Sequence, residues 1–345
     1  MSGLQKIPAM KVSNMKNQMK KQINILIKTF IFPISLWVVF ALLIQLKGGD
    51  SNLFVTQATM KDIFQTSVLT TIIALAVALP LSGGRWDFGI GAIMVLTAII
   101  AGNIAINHHM GLGMLFVLSI GIAVVLSVFE GVIYLIFRVP TMIVSLGIVM
   151  LYEALSGLLF DGSGVRLFMY PKLSILATQP YCYIVLAVVL VFFWALMKYT
   201  KFGFDSRSLG NNAVLAVNNG VKEKKNIILT YLIVGVLIGI ASLLNASKAV
   251  IAPESNLSST YLMFSSMGAV LVGLYLSRFS NMALGIFAGT VTMGIFSKGL
   301  NLYGMPASLN NIILGVFIVV FMGCTTNWQQ LVRVFLRKNS YLKNT

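Results

Sequence analysis

Long apolar runs separated by short polar segments organise this chain. Ten runs stand out, at about 25–46, 63–81, 89–107, 112–136, 141–160, 181–197, 227–246, 262–276, 283–300 and 309–324. Crossing a hydrocarbon core of roughly 30 Å takes about 20 helical residues, and most of these runs approach that length. They are too long for barrel strands, and a helix satisfies all its backbone groups within the segment that faces lipid. The pattern predicts an all-α polytopic membrane protein of about ten transmembrane helices.

The punctuation carries further information. The stretch at 79–92, Leu-Pro-Leu-Ser-Gly-Gly-Arg-Trp-Asp-Phe-Gly-Ile-Gly-Ala, is the least regular, because Pro80 and the glycines loosen helix there. It fits a broken helix or a re-entrant turn as well as a plain loop. Ten spans with the N-terminus inside put nineteen basic residues on the cytoplasmic side and five on the other, with Lys298 inside a span. Retention of Lys and Arg in cytoplasmic loops explains that asymmetry and places both termini in the cytoplasm. The expected organisation is a basic cytoplasmic or interfacial segment at 1–24, a transmembrane domain at 25–324 with a cytoplasmic loop at 198–226, and a basic cytoplasmic tail at 325–345. Met15, Met19 and Ile23 recur at helical spacing beside Lys16 and Lys20, which fits an interfacial helix on anionic lipid or a basic tail. A weak internal echo links Val-Ala-Leu-Pro-Leu-Ser at 77–82 with Val-Gly-Leu-Tyr-Leu-Ser at 272–277, as a transporter repeat or as chance likeness between Leu-rich helices.

Composition sharpens the class. Hydrophobic residues make up 58% of the 345 and charged residues only 10%, against about a quarter in soluble domains. The net charge of +16 would suit nucleic acid, but the basic residues lie between apolar runs, so a nucleic-acid partner is not expected. The run at 25–46 exceeds a signal-peptide core and no small-residue cleavage pattern follows, so it reads as a retained span. Cys182 and Cys324 have no metal-ligand neighbours, fall near opposite membrane faces and read as packing residues. His108 and His109, the only histidines, sit together in a short outer turn, too few for a zinc site, and no metal is expected. No Gly-x-x-x-x-Gly-Lys-Ser/Thr loop occurs, so ATP would have to be hydrolysed by a partner.

Two acids, Glu130 and Glu153, fall inside apolar runs, where a charge is costly and is kept for a pathway or for a hydrogen-bonded partner within the bundle. Gly235-x-x-x-Gly239 and Gly285-x-x-x-Gly289 set small residues on one helix face and predict close helix packing. In the 198–226 loop, Leu209, Ala213, Ala216 and Val217 make a small apolar face at helical spacing, with Gly220 placed to end the helix. Such a helix is either a surface element or a plug for a groove on another protein.

Three blocks resemble the permease subunits of sugar-type ABC importers, the group of the ribose, galactose, xylose and autoinducer-2 systems. Gly83, Gly84, Asp87, Gly89 and Gly91 form a Gly-Gly-x-x-Asp-x-Gly-x-Gly stretch similar to that family's Gly-Gly-Ile-Asp-Leu-Ser-Val-Gly signature. Arg138 to Gly147, with Pro140, resembles its Val-Pro-x-x-Ile-x-Thr-Leu-Gly block. Phe202 to Gly220, with Leu209, Gly210, Asn212, Ala213, Ala216 and Gly220, resembles its coupling segment. The resemblance spans about 60–325. The chain departs from it by the extra residue of Arg85-Trp86 before Asp87, and by Val-Gly-Leu-Tyr-Leu-Ser-Arg-Phe-Ser-Asn at 272–281 where the family has a Gly-Gly-Thr-Ser-Leu-Ser-Gly-Gly-like stretch.

The resemblance implies a permease that forms the translocation pathway for a small polar solute, most simply a monosaccharide or related compound. It implies a second permease chain as a homo- or heterodimer, cytoplasmic ATPase subunits carrying the ATP and Mg, and an extracytoplasmic solute-binding protein. It also implies that the 205–220 helix docks in an ATPase groove, and that Gly83, Gly84, Asp87, Gly89, Gly91, Glu130, Pro140 and Glu153 are pathway or gate candidates. An ion-coupled secondary carrier using Glu130 or Glu153, and a non-transporting membrane scaffold, are the other classes the residues allow.

Overall fold

A computed structural model describes residues 6–47, 54–137 and 139–326. Arg138 and the expected basic tail beyond Thr326 lie outside the described residues. Among the described residues the main helices are α1 (Lys6–Leu46), α2 (Gln57–Ser82), α3 (Ile90–Asn107), α4 (Leu112–Phe137), α5 (Thr141–Leu158), α6 (Tyr181–Tyr199), α7 (Lys201–Asn211), α8 (Ala213–Asn218), α9 (Glu223–Ala246), α10 (Thr260–Leu276), α11 (Met282–Leu302) and α12 (Ala307–Thr326), with short helical turns between α5 and α6. Among the described residues no strand forms beyond one isolated bridge between Val165 and Ile251. Among the described residues eight helices are long and apolar enough to cross a membrane, and two shorter apolar helices lie at 260–276 and 312–325. The all-α polytopic reading is borne out, and each apolar run of the sequence falls on one of these elements. No backbone break marks the expected boundary at 24/25, since α1 continues through it for 41 residues.

The chain forms two compact units, 57–271 and the combination of 1–56 with 272–345. In the larger unit α2, α3 and α9 are central, with 72% of each apolar window buried, against 22% for α4 and 28% for α6. Helix α9 packs antiparallel on α4 through two rows of small residues. A Cβ on Gly235 would press on the Val124 backbone at 2.6 Å, and one on Gly239 would press on Ile120 at 2.7 Å. Ser119, Ala123, Ser127 and Gly131 recur every four residues on α4 and are all buried, and the Ser127 hydroxyl donates to the Tyr231 carbonyl at 2.7 Å. The Gly235-x-x-x-Gly239 expectation holds for the physical reason given: in lipid, close backbone approach supplies the packing.

One crossing of the larger unit is only partly helical. Val165 and Ile251 exchange backbone hydrogen bonds at 2.8 and 3.0 Å, and the Asn103 amide donates to the Gly164 carbonyl at 2.9 Å, so this point lies beside the last turns of α3. Ser259 lies against Gly91 in the first turn of α3, where a Cβ would overlap the Ser259 carbonyl. From Gly91 to Gly102 a helix rises about 17 Å. Residues 251–259 therefore descend along α3 as irregular chain before α10 begins inside the bundle. Pro253 and the left-handed Asn256 and Leu257 preclude helix there, at φ of 55° and 64° for the latter two. The apolar run at 262–276 is thus the helical remainder of a crossing whose first part is not helix.

In the smaller unit α1 packs on α11, with Phe40 edge-on to Phe296 at 5.2 Å and against Gly299. Phe296 then stacks at 4.4 Å on Phe317 of α12. Gly285 lies against the Gly273 carbonyl and the Ser277 backbone. Both members of the sequence echo end a helix by one device: the Ser82 hydroxyl donates to Leu79 O at 2.8 Å and the Ser277 hydroxyl to Leu274 O at 2.6 Å. Both cysteines are free; Cys182 is buried as expected of a packing residue, whereas Cys324 is exposed.

Candidate functional site

The site grows from the end of α2. Pro80 leaves its carbonyl to accept the amides of Gly83 and Arg85, both at 3.0 Å, and Gly84 takes a left-handed φ of 77° that a side chain would oppose. The chain then turns for seven residues, 83–89, before α3 starts. The irregularity expected over 79–92 takes the form of a helix end at Ser82 and a seven-residue turn between two separate spans.

Two buried charges of opposite sign leave this turn in different directions. Arg85 is 5% exposed and reaches the start of α9, with Nη2 at 3.4 Å from Asn226 Oδ1 and 3.5 Å from Thr230 Oγ1. Burial pulls its guanidinium below the ordinary value, and the nearby Tyr231 works against that shift. Asp87 turns to the other side, where its Oδ1 accepts the Gly89 amide at 2.8 Å and its carboxyl neighbours that of Glu130 on α4. Burial pushes the Asp87 carboxyl above its usual range, while the bonds from Glu130 and the Gly89 amide oppose the shift. Asp87 Oδ2 and both Glu130 oxygens are buried and, among the described residues, take no hydrogen bond from any other side chain or backbone amide. Gly89 is required beside them, since a Cβ there would overlap the Glu130 carboxyl. A proton shared between two adjacent buried carboxyls is the arrangement that avoids two unpaired charges in a low dielectric.

The segment that follows α6 joins the same place. Thr200 caps α7 and Asn212 caps α8, each side chain accepting a backbone amide three residues on. Asn212 is extended, with φ of −159°, so 205–220 is two helices and Leu209 does not share a face with Ala213, Ala216 and Val217. Leu209 is buried on α7, Ala216 is the one buried residue of α8, and Ala213 is exposed. Gly220 ends α8 at φ of 87°, as expected. Gly210 lies on the end of α2, where a Cβ would overlap the Ser82 carbonyl. Asn226 closes the circuit by donating to Ser206 Oγ of α7 at 2.9 Å while it accepts from Arg85. Helix α7 thus touches the end of α2 through backbone contact at Gly210 and the 83–89 turn through the Ser206–Asn226–Arg85 chain.

Two candidates remain, one of which reaches the Gly91 end of α3 through Ser259. Pro140 is exposed at the start of α5 and serves as its N-cap residue. Glu153 accepts the amides of Leu257 and Ser259 at 2.8 and 2.9 Å and the Ser259 hydroxyl at 2.6 Å. Of its two readings, the hydrogen-bonded one is what the structure contains. Irregular backbone at membrane depth needs its amides satisfied within the protein, and Glu153 does this for the 251–259 descent. Arg85, Ser206, Asn226, Thr230 and Ser259 are not singled out as site residues by the sequence pattern. The available signal was Asn226 and Thr230, two polar residues one turn apart at the start of an apolar run.

A profile of the branched-chain amino acid transport system / permease component family matches residues 59–322. This chain belongs to that family. The permease is 25% identical over 288 residues to the autoinducer 2 import system permease protein LsrC of Klebsiella pneumoniae, covering 82% of this chain and 83% of the relative. It is 28% identical over 268 residues to LsrC of Enterobacter sp. strain 638, covering 76% and 77%. It is 23% identical over 266 residues to the galactofuranose transporter permease protein YtfT of Escherichia coli K12, covering 75% and 76%. No solved structure matches. The resemblance read from the three sequence blocks is borne out by these permeases, and the chain is a membrane transport subunit. In the permease, Gly210 of the third block lies against the Ser82 carbonyl and Gly83, where the first block starts, whereas Pro140 of the second is exposed at the start of α5.

Proposed function

We propose that this permease forms the translocation path of an ATP-driven importer for a small polar solute, a monosaccharide or a related compound, in a bacterial cytoplasmic membrane. The solutes named for its relatives, autoinducer 2 and galactofuranose, favour that class. ATP and Mg belong to partner ATPase subunits, a solute-binding protein delivers the solute from outside, and a second permease chain completes the path. The charge asymmetry favours a cytoplasmic location for the end that carries α7 and α8, with both termini on that side.

The observation that carries the coupling part of the reading is the contact of Gly210 with the Ser82 carbonyl. Helix α8 turns Val214, Leu215 and Val217 outward, 70%, 58% and 43% exposed, which suits docking on an ATPase subunit. A push on α8 passes through α7 to the end of α2 and the 83–89 turn. The test is ATP-dependent uptake by the permease reconstituted with its ATPase and binding protein. Gly210→Val should abolish uptake while ATPase subunits still co-purify; undiminished uptake in that variant removes the coupling route.

The buried Asp87 and Glu130 carboxyls favour a second reading, a secondary carrier coupled to protons or cations. Uptake driven by an ion gradient in vesicles without ATP, and lost in Glu130→Gln, would support it. The ATP-driven reading expects no uptake under those conditions.

A further inference from the structure

A cavity of about 220 Å³ opens between the first turns of α7 and α9. Lys201, Lys222 and Lys225 line it with a single carboxylate, Asp205, so its walls carry a net charge of +2. Among the described residues none of the three ammonium groups is paired with a carboxylate. Three cations around one concavity repel one another, and cations at the starts of helices are further disfavoured by the helix dipole. The arrangement favours entry of an anion. Phe202 and Leu229 give the same cavity an apolar wall. It also lies where α9, a span from Glu223 to Ala246, begins. Its volume is below the roughly 300 Å³ at which pockets for drug-sized ligands begin, which suits one headgroup rather than a nucleotide.

We propose that this cavity binds the phosphate group of an anionic phospholipid, with the lipid chains running along α9. Phosphate chemistry is what the three lysines recognise, and the apolar wall at a span end selects the lipid source over free phosphate. Occupancy has a consequence within the fold. Asn226 lines the cavity and holds both Ser206 of α7 and Arg85 of the 83–89 turn. An anion that draws Lys201 of α7 toward Lys222, the N-cap residue of α9, and Lys225 within it clamps these helices together and steadies the Arg85 contact.

The test uses the full chain purified in neutral detergent and given phosphatidylglycerol, phosphatidylcholine or inorganic phosphate, with native mass spectrometry for retained lipid and thermal unfolding for stability. Phosphatidylglycerol should be retained and should raise the unfolding temperature, whereas phosphatidylcholine and inorganic phosphate should not. Lys201→Gln, Lys222→Gln and Lys225→Gln should each weaken retention by about fivefold. Lys172→Gln, in a different loop, should leave it unchanged. Arginine at the same three positions preserves charge and should preserve retention, which separates loss of the site from loss of folding. Equal stabilisation by inorganic phosphate, which would make this a soluble-anion site, overturns the proposal. So does retention of phosphatidylglycerol that the glutamine variants leave intact.

Discussion

The carboxylate of Glu153 on α5 accepts both the amide and the hydroxyl of Ser259, at 2.9 and 2.6 Å, and so ties a complete span to the point where a broken one becomes helical. A third bond, from the Leu257 amide, lets one side chain serve a backbone stretch that has no helix of its own. Replacing Glu153 by Leu should leave the buried Ser259 amide unpaired, at about 1–3 kcal/mol, and the part-buried Leu257 amide unpaired at less. Glu153→Gln keeps one acceptor oxygen and should lose less. Thermal unfolding and amide exchange of 257–259 measure both, and a leucine variant as stable as the native protein would remove the anchoring role.

Gly210 faces a carbonyl oxygen with no room for a Cβ. Gly210→Val should cost about 1–3 kcal/mol in stability through overpacking. Gly220, with open space around it but φ of 87°, should lose less than Gly210 on substitution by Ala and should lose it through backbone strain. Unfolding measured side by side distinguishes the two, since Gly220→Asn should recover stability whereas Gly210→Asn should not.

Asp87 has its carboxyl raised by burial, so the folded protein holds a proton that the unfolded chain releases near the ordinary value of 3.8. The stability tied to this proton is fully present below that value and is lost as pH rises through the raised one. Asp87→Asn, which keeps the uncharged shape, should therefore flatten the fall in unfolding temperature with rising pH. A pH profile unchanged by the substitution would dissociate the carboxyl from this stability.

The exposed apolar residues of α8 should matter for assembly and not for folding. Val214→Asp combined with Leu215→Asp should abolish co-purification of ATPase subunits while the unfolding temperature of the permease shifts little, because neither side chain is buried in this chain. Retained co-purification would place the docking surface elsewhere.

What the sequence determined by itself was the class, the positions of the apolar elements and the family. Apolar length and backbone hydrogen bonding leave a chain like this few alternatives, and those constraints are local. The small-residue pair Gly235 and Gly239, the irregular 79–92 stretch and the helix stop at Gly220 were legible for the same reason: each depends on a few adjacent residues. Only the tertiary structure decided which polar groups work together. Glu130 and Glu153 look alike as isolated acids in apolar runs, yet one neighbours Asp87 and the other holds the amides of a distant loop. Arg85 looks like a loop charge until α9 brings Asn226 and Thr230 beside it. The difference is physical: a helix is written in its own residues, whereas the partner of a buried charge is chosen by packing between elements far apart along the chain.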